Sequence, residues 1–155
     1  MKETYKLLTT LVVYLIILTV ASLYCYEITN RITITRVYDG DTFYVSIDGY
    51  PPIIGSNIGI RVNGLDTPEL RTRNAAEKAL GYKTKALAKS ILLNPNNTIV
   101  LSNAQRGKYF RIISDVYING TNYANILIAS NLAYKYDGGT KRSWADIIKS
   151  WFSRD

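Results

Sequence analysis

The chain has 155 residues, 47 % of them hydrophobic, and 19 lysines and arginines against 12 aspartates and glutamates give it a formal net charge of +7. It contains no histidine and one cysteine, Cys25; that excludes histidine-based nucleases, most zinc hydrolases, Ser-His-Asp chemistry and a disulfide framework. The length is that of a single domain, and the basic excess favours a polyanionic partner.

The first element is a run without charge from Leu7 to Tyr26, preceded by Lys2 and Lys6. It is about as long as the ~20 residues a helix needs to cross a bilayer. Small residues at Thr19 and Ala21, or at Val20 and Ser22, also suit a signal-peptidase site. Residues 1–26 are therefore expected to be either a cleaved signal peptide or a membrane anchor, and both place residues 27–155 outside the cytoplasm. A buried core helix is the third reading. Bulky Tyr24 ahead of Cys25 argues against a lipoprotein.

Strand patterns follow. Ile32 and Ile34 alternate with Thr33 and Thr35, then Phe43, Val45 and Ile47 with Tyr44, Ser46 and Asp48, across an Asp39-Gly40 turn. A Pro- and Gly-bearing connection over residues 49–57 leads to a third extended run, Ile58 to Leu65, and further runs cover residues 98–102 and 112–118. Between the third and fourth strands, Ala76, Ala79, Leu80, Leu87 and Ile91 mark a helix over residues 75–92 that Asn94-Pro95 stops. A short helix is expected over residues 123–130. Trp144, Ile147, Ile148, Trp151 and Phe152 give a last helix an aromatic stripe behind a Ser143 N-cap; the stripe is expected to pack on the core, the alternative being a partner or membrane face. Five short strands with a helix between the third and fourth describe an α+β fold: a five-stranded OB-type Greek-key barrel with about three helices.

Two motifs carry the chemistry. Asp39-Gly40-Asp41 sets two carboxylates at a turn, and Asp66-Thr67-Pro68-Glu69 sets two more around a stiffened corner. Such hard oxygens suit Ca²⁺, which takes about 6–8 oxygen ligands. Read singly, each motif is equally an ordinary turn or helix start. Arg61 and Arg111 add two guanidinium forks suited to a phosphate.

Together the stretches VYDGDTFYV, IRVNGLDTPELR and QRGKYFRIISDVYING resemble the staphylococcal nuclease family, in order, from about Ile34 to Tyr136. The resemblance implies a calcium-dependent nuclease that hydrolyses phosphodiester bonds of DNA and RNA, favouring single strands. It implies little sequence specificity, 3′-phosphate and 5′-hydroxyl ends, and a monomer. It implies Asp41, Asp66 and the Thr67 carbonyl as calcium ligands, Asp39 as an outer-shell carboxylate, Glu69 as the group that orients or deprotonates water, and Arg61 and Arg111 on the scissile phosphate. Lys108 and Tyr109 fall where the family contacts a terminal phosphate, and Tyr134 or Tyr136 where a base is stacked. Two departures stand out: Phe110 replaces the usual glycine before the arginine, and the link LRTRN after Glu69 is short. A catalytically inactive OB module binding single-stranded nucleic acid, and a surface protein binding a protein partner, are the competing readings.

Overall fold

The structure, a computed structural model, describes residues 6, 9–16, 28 and 31–152, with residues 151–152 described in backbone only. Most of the expected export segment lies outside the described residues. Residues 9–16 are helical, and among the described residues no helix is long and apolar enough to cross a membrane.

Alternation along the chain produces the central sheet. In β2 (Thr42–Ile47), Phe43, Val45 and Ile47 are buried while Tyr44 and Ser46 face outward. β2 pairs antiparallel with β1 (Ile32–Val37) on one side and β3 (Ile58–Val62) on the other. β3 runs parallel to β6 (Ile112–Ile118), which pairs antiparallel with β5 (Ile99–Arg106), giving the order β1-β2-β3-β6-β5. An isolated antiparallel bridge between Ile28 and Leu101 carries β5 round to the segment ahead of β1. The sheet is thus a curled half-barrel closed over Phe43, Val45, Ile60, Leu101 and Val116. This is the α+β, OB-type architecture expected from the sequence.

The residues 49–57, expected as plain connection, hold a single helical turn, α1 (Pro52–Gly55), started by the fixed φ of Pro52. Beyond β3, the two-residue β4 (Leu65–Asp66) pairs antiparallel with β8 (Tyr134–Lys135), and β7 (Thr121–Asn122) pairs with β6 ahead of α3 (Tyr123–Ala129).

Helix α2 (Ala75–Leu92) has the expected ends, its N-terminus capped by Asn74 Oδ1, which accepts from the Glu77 amide at 3.0 Å. Its buried seam differs from the expected stripe. Gly81, Thr84, Ala88 and Leu92 face the core, while Ala76 and Ala79 are exposed and Leu80, Leu87 and Ile91 only flank it. Small side chains win because the backbone opposite is close: a Cβ on Gly81 would come within 3.0 Å of the Pro68 carbonyl oxygen. The last helix, α4 (Trp144–Phe152), buries Trp144 and Ile147 against Tyr134, Leu80 and Tyr136, the intramolecular packing expected for its first turns.

Candidate active site

The β1–β2 turn is shaped by its own aspartate. Asp39 Oδ1 accepts from the amides of Asp41 (3.1 Å) and Thr42 (2.7 Å), which folds the turn so that Asp41 points inward. Gly40 at its tip touches α2 and the β4 corner, where a Cβ would lie 2.3 Å from Thr84 Cγ2 and 2.8 Å from Thr67 Cγ2. From α3, the Tyr123 hydroxyl donates to the Gly40 carbonyl at 2.9 Å. Any side chain at residue 40 would push this turn off its supports.

Asp41 and Asp66 are only 2 % and 1 % exposed. Buried carboxylates need full hydrogen bonding or a cation, and both have them. Asp41 Oδ2 accepts from the Thr67 amide at 3.2 Å and the Thr67 hydroxyl at 2.9 Å; Oδ1 accepts from the Thr42 hydroxyl at 2.9 Å and from Arg61 Nη1. Asp66 Oδ1 pairs with Arg61 Nη2 at 3.2 Å and with Lys141 Nζ at 2.7 Å, and Oδ2 accepts from the Trp144 indole at 3.3 Å. Arg61 therefore bridges the two acids, one fork arm to each, from the middle of β3.

Above this floor opens a cleft of about 920 Å³, lined by Asp39, Arg61, Glu69, Arg71, Arg111 and Lys141 and by the rings of Tyr38, Tyr44, Tyr109 and Phe110. Arg111 reaches it by crossing β3 at Gly59, where a Cβ would stand 2.9 Å from Arg111 Cγ. Glu69 is exposed and accepts from Lys141 Nζ at 3.3 Å. Its backbone amide donates to Glu77 Oε1, and Glu77 Oε2 accepts from the Thr72 hydroxyl, so α2's first turn ties down the short link after Glu69. Arg36 stacks over Tyr44 with its guanidinium carbon 4.1 Å from the ring centre.

The electrostatics follow burial. Asp39 is pushed up from the ordinary 3.8 to about 7, first by burial and then by the negative charge of Asp41 beside it. Tyr123 is raised by burial and by the same two carboxylates. Lys141 loses solvation, which opposes its charge, yet ends raised because its hydrogen bond to Asp66 and the charges of Asp66 and Glu69 outweigh that loss.

Of the residues singled out from sequence, Asp39, Arg61, Glu69, Tyr109 and Arg111 line this one cleft, and Asp41, Asp66 and Thr67 lie buried beneath it, tied to it through Arg61 and Asp41. Lys108 is exposed on the adjoining turn without lining it. Tyr134 and Tyr136 line a separate cleft; Tyr134 is 8 % exposed with its ring 5.3 Å from that of Trp144, and the Tyr136 hydroxyl donates to the Gly139 carbonyl. Sequence reasoning missed Lys141, Glu77 and the indole of Trp144. The aromatic stripe marks Trp144 for core packing or for a partner or membrane face, not for a hydrogen bond to Asp66, and Lys141 sits in an irregular stretch with no pattern to single it out.

Among the described residues, no three acidic, histidine or cysteine side chains converge as a metal-holding group. The donor chemistry nonetheless fits calcium: two buried carboxylates with a backbone corner at Thr67 offer hard oxygens and nothing soft. Their charge is met here by Arg61 and Lys141. A cation held by these oxygens would take over that compensation.

A model of the staphylococcal nuclease homologue family matches residues 59–147, more than half of the chain. The chain is also similar to an uncharacterized protein of Methanocaldococcus jannaschii, 32 % identical over 57 % of this chain and 49 % of the relative, so it spans about half of that relative's length.

Proposed function

The chain belongs to the staphylococcal nuclease homologue family, and from that premise we propose that it is a calcium-dependent nuclease cutting phosphodiester bonds of DNA and RNA. The observation that carries this reading is the seating of Arg61 between two buried carboxylates, at the floor of a cleft that Arg111 and Glu69 also line. Asp41, Asp66 and the Thr67 carbonyl would hold calcium, with Asp39 behind them. Bound calcium supplies a Lewis acid and compensating charge beside the phosphoryl oxygen.

The protein's own groups do the rest. Arg61 and Arg111 bind the non-bridging oxygens of the scissile phosphate and meet the charge that grows in the five-coordinate transition state. Glu69, exposed at the rim, orients the attacking water or accepts its proton. The bond between phosphorus and the 5′ oxygen breaks, leaving a 3′-phosphate and a 5′-hydroxyl. Contacts of this kind read the backbone, so sequence preference is slight. Residues 1–26 place the domain outside the cytoplasm, as a cleaved leader or an anchor.

The test is cleavage of denatured DNA and of RNA with calcium and with a chelator, followed by end-group analysis. Calcium-dependent cuts with 3′-phosphates are expected. Equal cutting in chelator refutes the metal assignment, and tight binding without any cutting favours an inactive single-strand-binding module.

A further inference from the structure

The turn between β5 and β6 is bent in a way its sequence does not favour. Tyr109 and Phe110 have φ of +57° and +60°, a left-handed conformation adopted here by two consecutive bulky residues. Such residues occupy that region at a cost and persist where the surroundings over-determine them, often at ligand sites. The turn is closed by the Gly107 amide donating to the Arg111 carbonyl at 2.7 Å. Its effect is to turn both rings outward: Tyr109 is 86 % exposed and Phe110 49 %. The Arg106 guanidinium carbon lies 3.9 Å from the centre of the Phe110 ring, and Phe110 lines the same cleft as Arg61, Glu69 and Arg111.

We propose that Phe110, backed by Arg106, is a stacking platform for one unpaired base of the strand whose phosphate sits between Arg61 and Arg111. This rests on the nuclease reading for the strand's course and adds to it a base subsite. An aromatic face braced by a cation takes the π-face of any base, so the subsite is tolerant of sequence. A base inside a duplex already has both faces covered by its neighbours and must be unstacked to reach Phe110. The platform therefore selects single-stranded or frayed nucleic acid. It also gives a reason for a phenylalanine in a conformation that glycine would adopt freely.

The experiment uses the full chain and a phosphorothioate single strand of about eight nucleotides, intact or with one abasic position moved along it, beside a duplex of the same length. On the unsubstituted chain one abasic position weakens binding by about 5- to 150-fold, the range that loss of one stacked base produces. In Phe110→Gly the intact strand is expected to weaken by the same factor, the abasic effect to vanish and duplex binding to stay unchanged. The melting temperature of that variant rises by ~2–8 °C as the left-handed strain is relieved, so the loss is not misfolding. Phe110→Trp restores single-strand binding. The proposal is overturned if Phe110→Gly binds intact and abasic strands as the unsubstituted chain does. It is equally overturned if single-strand and duplex affinities fall together, or if the variant loses only a dimer of the chain in sedimentation. Cleavage is read separately. The abasic pattern without cleavage rejects the nuclease reading and keeps the platform, and cleavage without the pattern does the reverse.

Discussion

Asp41 and Asp66 have all four carboxylate oxygens bonded and almost no exposed surface, whereas Glu69, Tyr109 and Phe110, on the rim of the same cleft, stand largely in water. On the floor, position is enforced by burial, because an unpaired charge there costs several kcal/mol and every carboxylate oxygen has a partner that avoids it. On the rim no such burial penalty acts, and the cost carried there is the left-handed backbone of Tyr109 and Phe110. Fixed charges are held below, and exposed rings and a carboxylate stand above.

The floor is the place to break. Asp41→Ala removes the acceptor of Thr42, Thr67 and one arm of Arg61. The expected loss is about 3–5 kcal/mol of stability in denaturant titration, together with loss of calcium binding in calorimetry. An unchanged unfolding midpoint would mean that the floor is not what holds the β1–β2 turn.

Arg61→Lys keeps a charge between the two acids but cannot span both with a planar fork. Single-turnover cleavage should fall by about 10²–10³, with binding of an uncleavable strand reduced far less. The same exchange at Arg142, which lies outside this cleft, should leave cleavage within a few-fold. Equal effects at the two sites would erase the distinction between floor and surface.

A third expectation concerns pH. Asp39 holds a proton up to about pH 7 in the folded chain but gives it up near 3.8 when unfolded. Between those values the folded state binds the extra proton, so Asp39's contribution to stability declines as pH rises through that window. Thermal unfolding in chelator from pH 4 to pH 8 should show this decline, and Asp39→Asn should flatten it. A slope that survives the substitution assigns the decline to another group.

The smallest effect belongs to Lys141, about half-exposed, which pairs with Asp66 and Glu69. Lys141→Met removes a positive charge from oxygens that suit calcium. Calorimetry should show tighter calcium binding by no more than about fivefold, as a partly solvated pair permits. Weaker binding would make Lys141 a support of the site rather than a competitor within it.

Much of this is legible in the sequence. The β2 alternation and the Asn94-Pro95 stop are local signals, and they located β2 and the end of α2. The Asp39-Gly40-Asp41 turn was legible because its side chain bonds its own backbone. The pairing of β4 with β8 was not, since two residues carry no period and the partner strand is about seventy positions away. The α2 seam was misread because Gly81 owes its burial to the closeness of the opposing backbone, which hydropathy does not record. Lys141 lacked even that much, for a lysine after Gly138-Gly139 has the pattern of any solvated loop until folding sets it beside Asp66.

The hydrogen bond from Trp144 to Asp66 joins residues 78 positions apart, and that from Tyr123 to Gly40 joins residues 83 apart. In thermodynamic terms such reach is cheap, since each doubling of a loop adds only ~0.6 kcal/mol to its closure. In kinetic terms it is slow, because distant contacts form after local helices and hairpins are in place. On that rule the acidic floor is expected to be completed late in folding, once the α4 segment has docked. Detachment of that segment in a local opening would take the indole from Asp66 and undo the floor with it. A half-folded chain with most of its sheet in place would thus lack a finished acidic floor.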